Sequence, residues 1–66
     1  MKNLIKVERA RHNLTQADLA EKIGISRQSI NAIEKGKFIP STVLALKLAK
    51  LFKIPVEEIF LLEEAD

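Results

Sequence analysis

The sequence predicts an all-α fold of five short helices, and three observations predict it. Leu, Ile and Ala recur at helical spacing, β-branched runs are scarce, and aromatic residues make up 5% of the chain. No linker, repeat or low-complexity stretch interrupts the 66 residues, so residues 1–66 read as one domain. A domain of this size buries about 60% of its unfolded surface and is marginal alone. With no Cys there is no disulfide, and a single His without a Cys partner argues against structural zinc. Tight helical packing and self-association are left as the expected stabilisers.

The first helix is expected from about Asn3 to His12, with Leu4, Val7 and Ala10 three apart, Ile5 beside them, and Asn13 as the stop. Thr15 reads as an N-cap accepting from the Asp18 amide, with Asp18 favoured by the dipole of the first turn. Leu14 and Leu19 fit a hydrophobic staple. The second helix should therefore run from Gln16 to about Ile23 and end at Gly24. The pattern repeats at once. Ser26 is the next N-cap, Ile25 and Ile30 its staple, and the third helix should run from Arg27 to about Lys35, ended by Gly36. Two short helices meeting across a turn at Gly24 give a helix-turn-helix over about 16–35. Pro40 interrupts, and Ser41 caps a fourth helix to about Phe52. Leu44, Ala45, Leu48, Ala49, Leu51 and Phe52 form its apolar face, and Lys47, Lys50 and Lys53 recur on the other side. Pro55 suits the first turn of a short fifth helix through Phe60, with Val56, Ile59 and Phe60 closing the core. Leu61 to Asp66 is compatible with a short strand or a subunit contact.

Charge is unevenly distributed. Residues 1–53 hold all 11 Lys and Arg against four acids, and residues 54–66 hold five acids and no base. Such a partition suits one face on a polyanion and another turned away from it. No apolar run is long enough to span a bilayer or to act as a secretory signal, so a soluble, cytoplasmic protein is expected.

On the third helix Ile30 and Ile33 share one face and Ala32 is small. Arg27, Gln28, Asn31 and Lys35 fall on the other side, which is polar, long-armed and free of acids. Arg can donate two bonds to guanine, and Gln or Asn can pair bidentately with adenine. Arg27 and Gln28 sit at the N-terminal end, the part of a recognition helix that reaches deepest into the groove. The amides opening the second helix, with the Gln16 side chain, suit a backbone phosphate, and Lys35, Lys37 and Arg11 add positive charge.

The stretch LTQADLAEKIGISRQSINAIEKGK resembles, without a gap, the core of the Xre and lambdoid-repressor helix-turn-helix family. Ala20 lies where the two helices touch, Gly24 at the turn, and Ile30 and Ile33 at the core positions of the recognition helix. The later Pro-Ser start and the PVEEIF ending extend the resemblance over nearly the whole chain, toward small single-domain members. It implies a five-helix, lambda-repressor-like DNA-binding domain, with room for a small two-stranded sheet from the termini. It also implies a homodimer on a palindromic double-stranded DNA operator, acting as a transcriptional repressor. Position by position, Gln16 would contact phosphate, joined by Thr15, Ser26, Lys35 and Lys37. Arg27 and Gln28 would read base edges, with Ser29 and Asn31 assisting. Arg9 and Glu34 resemble the family's structural ion pair. The loop Gly36–Pro40 is shorter and less basic than in phage repressors, so minor-groove contacts are not expected from it.

Spare apolar groups at Leu46, Phe60, Leu61 and Leu62 are the expected dimer interface. No cofactor, metal or small-molecule ligand is expected. His12 lacks partners for metal or catalysis, and N-capping accounts for Ser26. Glu57 and Glu58 fit a dipole role in a first turn, so no enzyme is predicted. Two binding roles stay open beside repression: an antitoxin that also regulates its own operon, and a protein–protein adaptor on the same fold.

Overall fold

A computed structural model describes residues 1–66. Along the chain run β1 (Lys2–Asn3), α1 (Ile5–Arg11), α2 (Gln16–Ile23), α3 (Arg27–Glu34), α4 (Thr42–Phe52), a 3-10 turn (Val56–Glu58) and β2 (Phe60–Leu61). The two strands pair antiparallel, Lys2 with Leu61 and Asn3 with Phe60. The Met1 ammonium, 3.0 Å from both the Glu63 and Asp66 carboxylates, closes the outer end of this sheet.

Three helices begin on the caps that the sequence marks. Thr15 Oγ1 accepts from the Asp18 amide at 3.0 Å, Ser26 Oγ from Ser29 at 3.1 Å, and Ser41 Oγ from Leu44 at 3.2 Å. At Thr15 the box is reciprocal, because the Thr15 amide donates to Asp18 Oδ2 at 3.0 Å.

All four helices end by one device. Asn13, Gly24, Gly36 and Lys53 adopt φ of 57°, 81°, 75° and 60°. The next amide then reaches back to a carbonyl five residues earlier: Leu14 to Arg9, Ile25 to Ala20, Lys37 to Ala32 and Ile54 to Ala49. Leu14, Ile25 and Ile54 turn inward against the core, as the apolar residue of this motif does, whereas Lys37 is exposed.

The core joins Ile5, Leu19, Ala20, Ile23, Ile30, Ile33, Leu44, Leu48, Phe52, Ile59 and Phe60. Two sequence expectations are corrected by it. The first helix begins at Ile5 rather than Asn3, because Lys2 and Asn3 pair with β2 and the Asn3 carboxamide accepts from the Ile5 amide at 3.3 Å. Its inner face is Ile5 and Glu8, while Leu4, Val7 and Ala10 face outward. The buried Glu8 carboxylate meets Arg11 at 3.3 Å. The expected fifth helix is a single 3-10 turn after Pro55, and Phe60 lies in β2 rather than in a helix. The chain must become extended there to pair with Asn3. The sheet that the resemblance allowed is present.

Candidate nucleic-acid interface

The geometry of the site begins at the corner between α2 and α3. Gly24 takes a left-handed conformation that costs a glycine nothing, so α2 turns into the Ser26 cap within two residues. Ile30 and Ile33, at most 1% exposed, fix the inner face of α3 to the core. Ala20, 4% exposed, belongs to the same cluster. With the inner face fixed, 3.6-residue periodicity determines what is presented outward. Arg27, Gln28 and Lys35 are exposed, and Asn31 and Ser29 are half-buried.

One polar network holds this edge in place. Arg9 Nε donates to Glu34 Oε2 at 2.7 Å, and its Nη2 donates to Oε1 at 3.2 Å. Arg9 Nη1 reaches the Leu14 carbonyl at 3.0 Å, at the corner leading into α2. The two side chains are 13% and 9% exposed, so this is a nearly buried, two-pronged pair. Gln16 Nε2 donates to Glu34 Oε1 and to Asn31 Oδ1, both at 3.2 Å. A fourth element joins through Asn3, whose Nδ2 donates to the Ile33 carbonyl at 2.8 Å. α1, α2, α3 and β1 thus meet at the end of α3.

Two electrostatic consequences follow. Glu34 is the acid of α3, and Arg9 takes up its charge, leaving Arg27, Lys35 and Lys37 to set the sign of the outer edge. Both hydrogens of the Gln16 carboxamide are engaged inside the protein, so the group left facing outward is its oxygen, an acceptor. The Gln16 and Ala17 amides at the helix start have no carbonyl partner within α2 and point where the dipole favours an anion. At the start of α3, Ser26 Oγ and Ser29 Oγ stand 2.9 Å apart, so both hydroxyls belong to the cap. The Asp18 carboxyl lies below its ordinary value because the Thr15 amide donates to it, helped by the Thr15 side chain and the nearby Lys22 charge.

Of the four residues expected at a subunit contact, Leu46 and Phe60 are brought together and Leu61 is not. Leu46 and the edge of Phe60 line one apolar groove with Ala45, Val56 and Pro40. Leu61, the next residue on β2, points to the opposite face beside Leu4 and Val7. Leu62 is 83% exposed and Phe60 is 8% exposed. Sequence reasoning missed Asn3 in the network, because its role depends on a strand pairing 57 residues away. It also gave no role to Val43, exposed on α4 one turn before Leu46.

Comparison with known proteins agrees with this architecture. The helix-turn-helix family pattern matches residues 5–59. An uncharacterized HTH-type transcriptional regulator of Methanocaldococcus jannaschii is 59% identical over 64 residues, covering 97% of each chain. The Bacillus subtilis regulator YgzD is 48% identical over 64 residues, again 97% of each chain. Among solved structures, the restriction-modification controller protein C.AhdI from Aeromonas hydrophila superposes with a TM-score of 0.75 at 32% identity, covering 85% of each chain.

Proposed function

The chain belongs to the helix-turn-helix family, and from that membership we propose that it is a transcriptional regulator that reads double-stranded DNA with the outer edge of α3. One observation carries the reading. The partly buried Arg9–Glu34–Gln16–Asn31 network fixes an edge whose exposed groups are Arg27, Gln28 and Lys35. Its relatives with coverage over nearly their full length are regulators by name.

In this reading α3 lies in the major groove with Arg27 and Gln28 on base edges. Asn31 shares its oxygen with Gln16, so its amide hydrogens face the DNA. That favours an acceptor, such as guanine O6 or N7 or thymine O4. Ser29 assists at the same end. The α2 amides at Gln16 and Ala17, with Thr15, Ser26, Lys35 and Lys37, hold the phosphates and set the register. Gln16 reaches phosphate through its main-chain N–H, since its side-chain hydrogens are held inward.

So short an edge covers few base pairs, which a two-fold dimer doubles. The reading therefore includes a homodimer on a palindromic operator, with recognition helices about 34 Å apart. The groove of Leu46 and Phe60, lined also by Pro40, Ala45 and Val56, is the face proposed for that contact. The dimer acts as a repressor by covering promoter DNA, without a catalytic step. In size and in its ending the chain is similar to the small cytolysin-operon repressor of the same family.

Selection of binding fragments from a random DNA pool tests this. Enrichment of a palindrome with half-sites one helical turn apart is expected. Failure to hold any fragment more tightly than bulk DNA would sink the proposal.

A further inference from the structure

Two grooves away from the reading edge share no residue and carry opposite charge. The first, 350 Å³, has Leu4, Val7 and Ile54 as an apolar floor and the exposed Glu57 and Glu58 on its rim. Its one base, Arg11, is held by Glu8 at 3.3 Å, so the rim is net acidic. The second, 340 Å³, lies where α2 meets α4. Its floor is Ile23 and Leu51, and Lys22, Lys47 and Lys50 stand around it with no acid among them. None of these lysines enters an ion pair, and neither does Glu57 or Glu58.

The two faces are alike in their apolar floors and opposite in sign. They cannot meet within one molecule, since each is built on packed helices of the same rigid core. We infer that the acidic face of one copy docks on the basic face of a second copy, with Glu57 and Glu58 against Lys47 and Lys50. Such a contact is heterologous and leaves a free face of each kind at its ends, so it extends beyond a closed pair. It shares no lining residue with the groove of Leu46 and Phe60, and leaves Arg27, Gln28 and Asn31 uncovered. A contact dominated by exposed charges weakens as the screening length falls from about 10 Å at 0.1 M salt to about 3 Å at 1 M.

The test uses the protein alone, so its result is independent of the DNA reading. Sedimentation of the full chain at low salt should show species larger than those present at molar salt. Lys47→Glu/Lys50→Glu and Glu57→Lys/Glu58→Lys should each weaken that association about tenfold or more, since attraction becomes repulsion at two positions. An equimolar mixture of the two variants should restore it, because each supplies the face that the other lacks. If a reversed variant loses its helical circular dichroism, Lys47→Gln/Lys50→Gln replaces it and must also weaken association. Equal size of the wild type at both salt concentrations, wild-type association by either variant alone, or a mixture that stays dissociated would each overturn the inference.

Discussion

Glu34 accepts two hydrogen bonds from Arg9, 25 residues earlier, at 2.7 and 3.2 Å, and so ties the last turn of α3 to α1. Removing one partner of a pair this buried leaves a charge without compensation. Glu34→Ala should cost about 3–5 kcal/mol in urea unfolding. The double change Arg9→Met/Glu34→Leu should recover most of that loss, since an apolar pair of similar volume fits the same space. A single variant within about 0.5 kcal/mol of wild type would show that the pair is not a structural link.

Gln16 sits between two roles that a titration separates. Loss of a side-chain phosphate ligand would weaken every DNA sequence alike, but the main-chain N–H proposed to hold phosphate survives Gln16→Ala. Because the lost carboxamide orients Asn31 and Glu34, Gln16→Ala should instead relax the choice of base read by Asn31 and leave affinity for random DNA nearly unchanged. Comparing affinities for the selected site, for its single-base variants and for random DNA distinguishes the two outcomes.

Arg27→Ala should relax base choice at one position, a loss of about 1–3 kcal/mol confined to the selected site. Lys35→Ala and Lys37→Ala should instead weaken all sequences and lower the salt slope of binding by about one each. Equal losses on specific and random DNA for Arg27→Ala would remove it from the base readers.

Lys53 closes α4 at φ 60°, a conformation that carries a penalty of about 1 kcal/mol for a residue with a Cβ. Lys53→Gly relieves it, partly offset by the greater freedom of glycine in the unfolded chain. A net gain of about 0.5 kcal/mol is expected, seen as a melting temperature higher by about 2–4 °C.

The Asp18 carboxyl is held below its ordinary value of 3.8, first by the Thr15 amide. Its folded-state pKa is thus lower than the unfolded one. Its contribution is present above the unfolded value and is lost as pH falls through the folded one. Asp18→Asn keeps an acceptor for Thr15 but cannot titrate, so the variant should show a flatter decline in stability between about pH 5 and pH 2. A decline parallel to the wild type would place the acid sensitivity elsewhere.

What was legible in the sequence was local. Thr15, Ser26 and Ser41 each cap within three residues of themselves, so α2, α3 and α4 fall where those residues place them. Arg9 and Glu34 were legible through resemblance, and the structure places them in contact. What was hidden was non-local. Leu4 and Val7 have helical spacing, yet the pairing of Asn3 with Phe60 sets the rotation of α1 so that Ile5 and Glu8 turn inward. The same pairing converts the expected fifth helix into one turn. At the site, the exposed positions could be read from periodicity, but nothing in the spacing of Gln16 and Asn31 announces that one orients the other.

The closing device shared by the four helices has one exception, and it falls next to the reading helix. Leu14, Ile25 and Ile54 anchor their corners by burial, whereas Lys37 adds no buried side chain beyond the last turn of α3, and Phe38 and Ile39 follow at 50% and 67% exposure. Few buried contacts mean a low local opening free energy. The segment from Lys37 to Pro40 is therefore the compliant corner of an otherwise stiff scaffold. It can adjust its path to the surface lying against α3 while the edge itself keeps its shape.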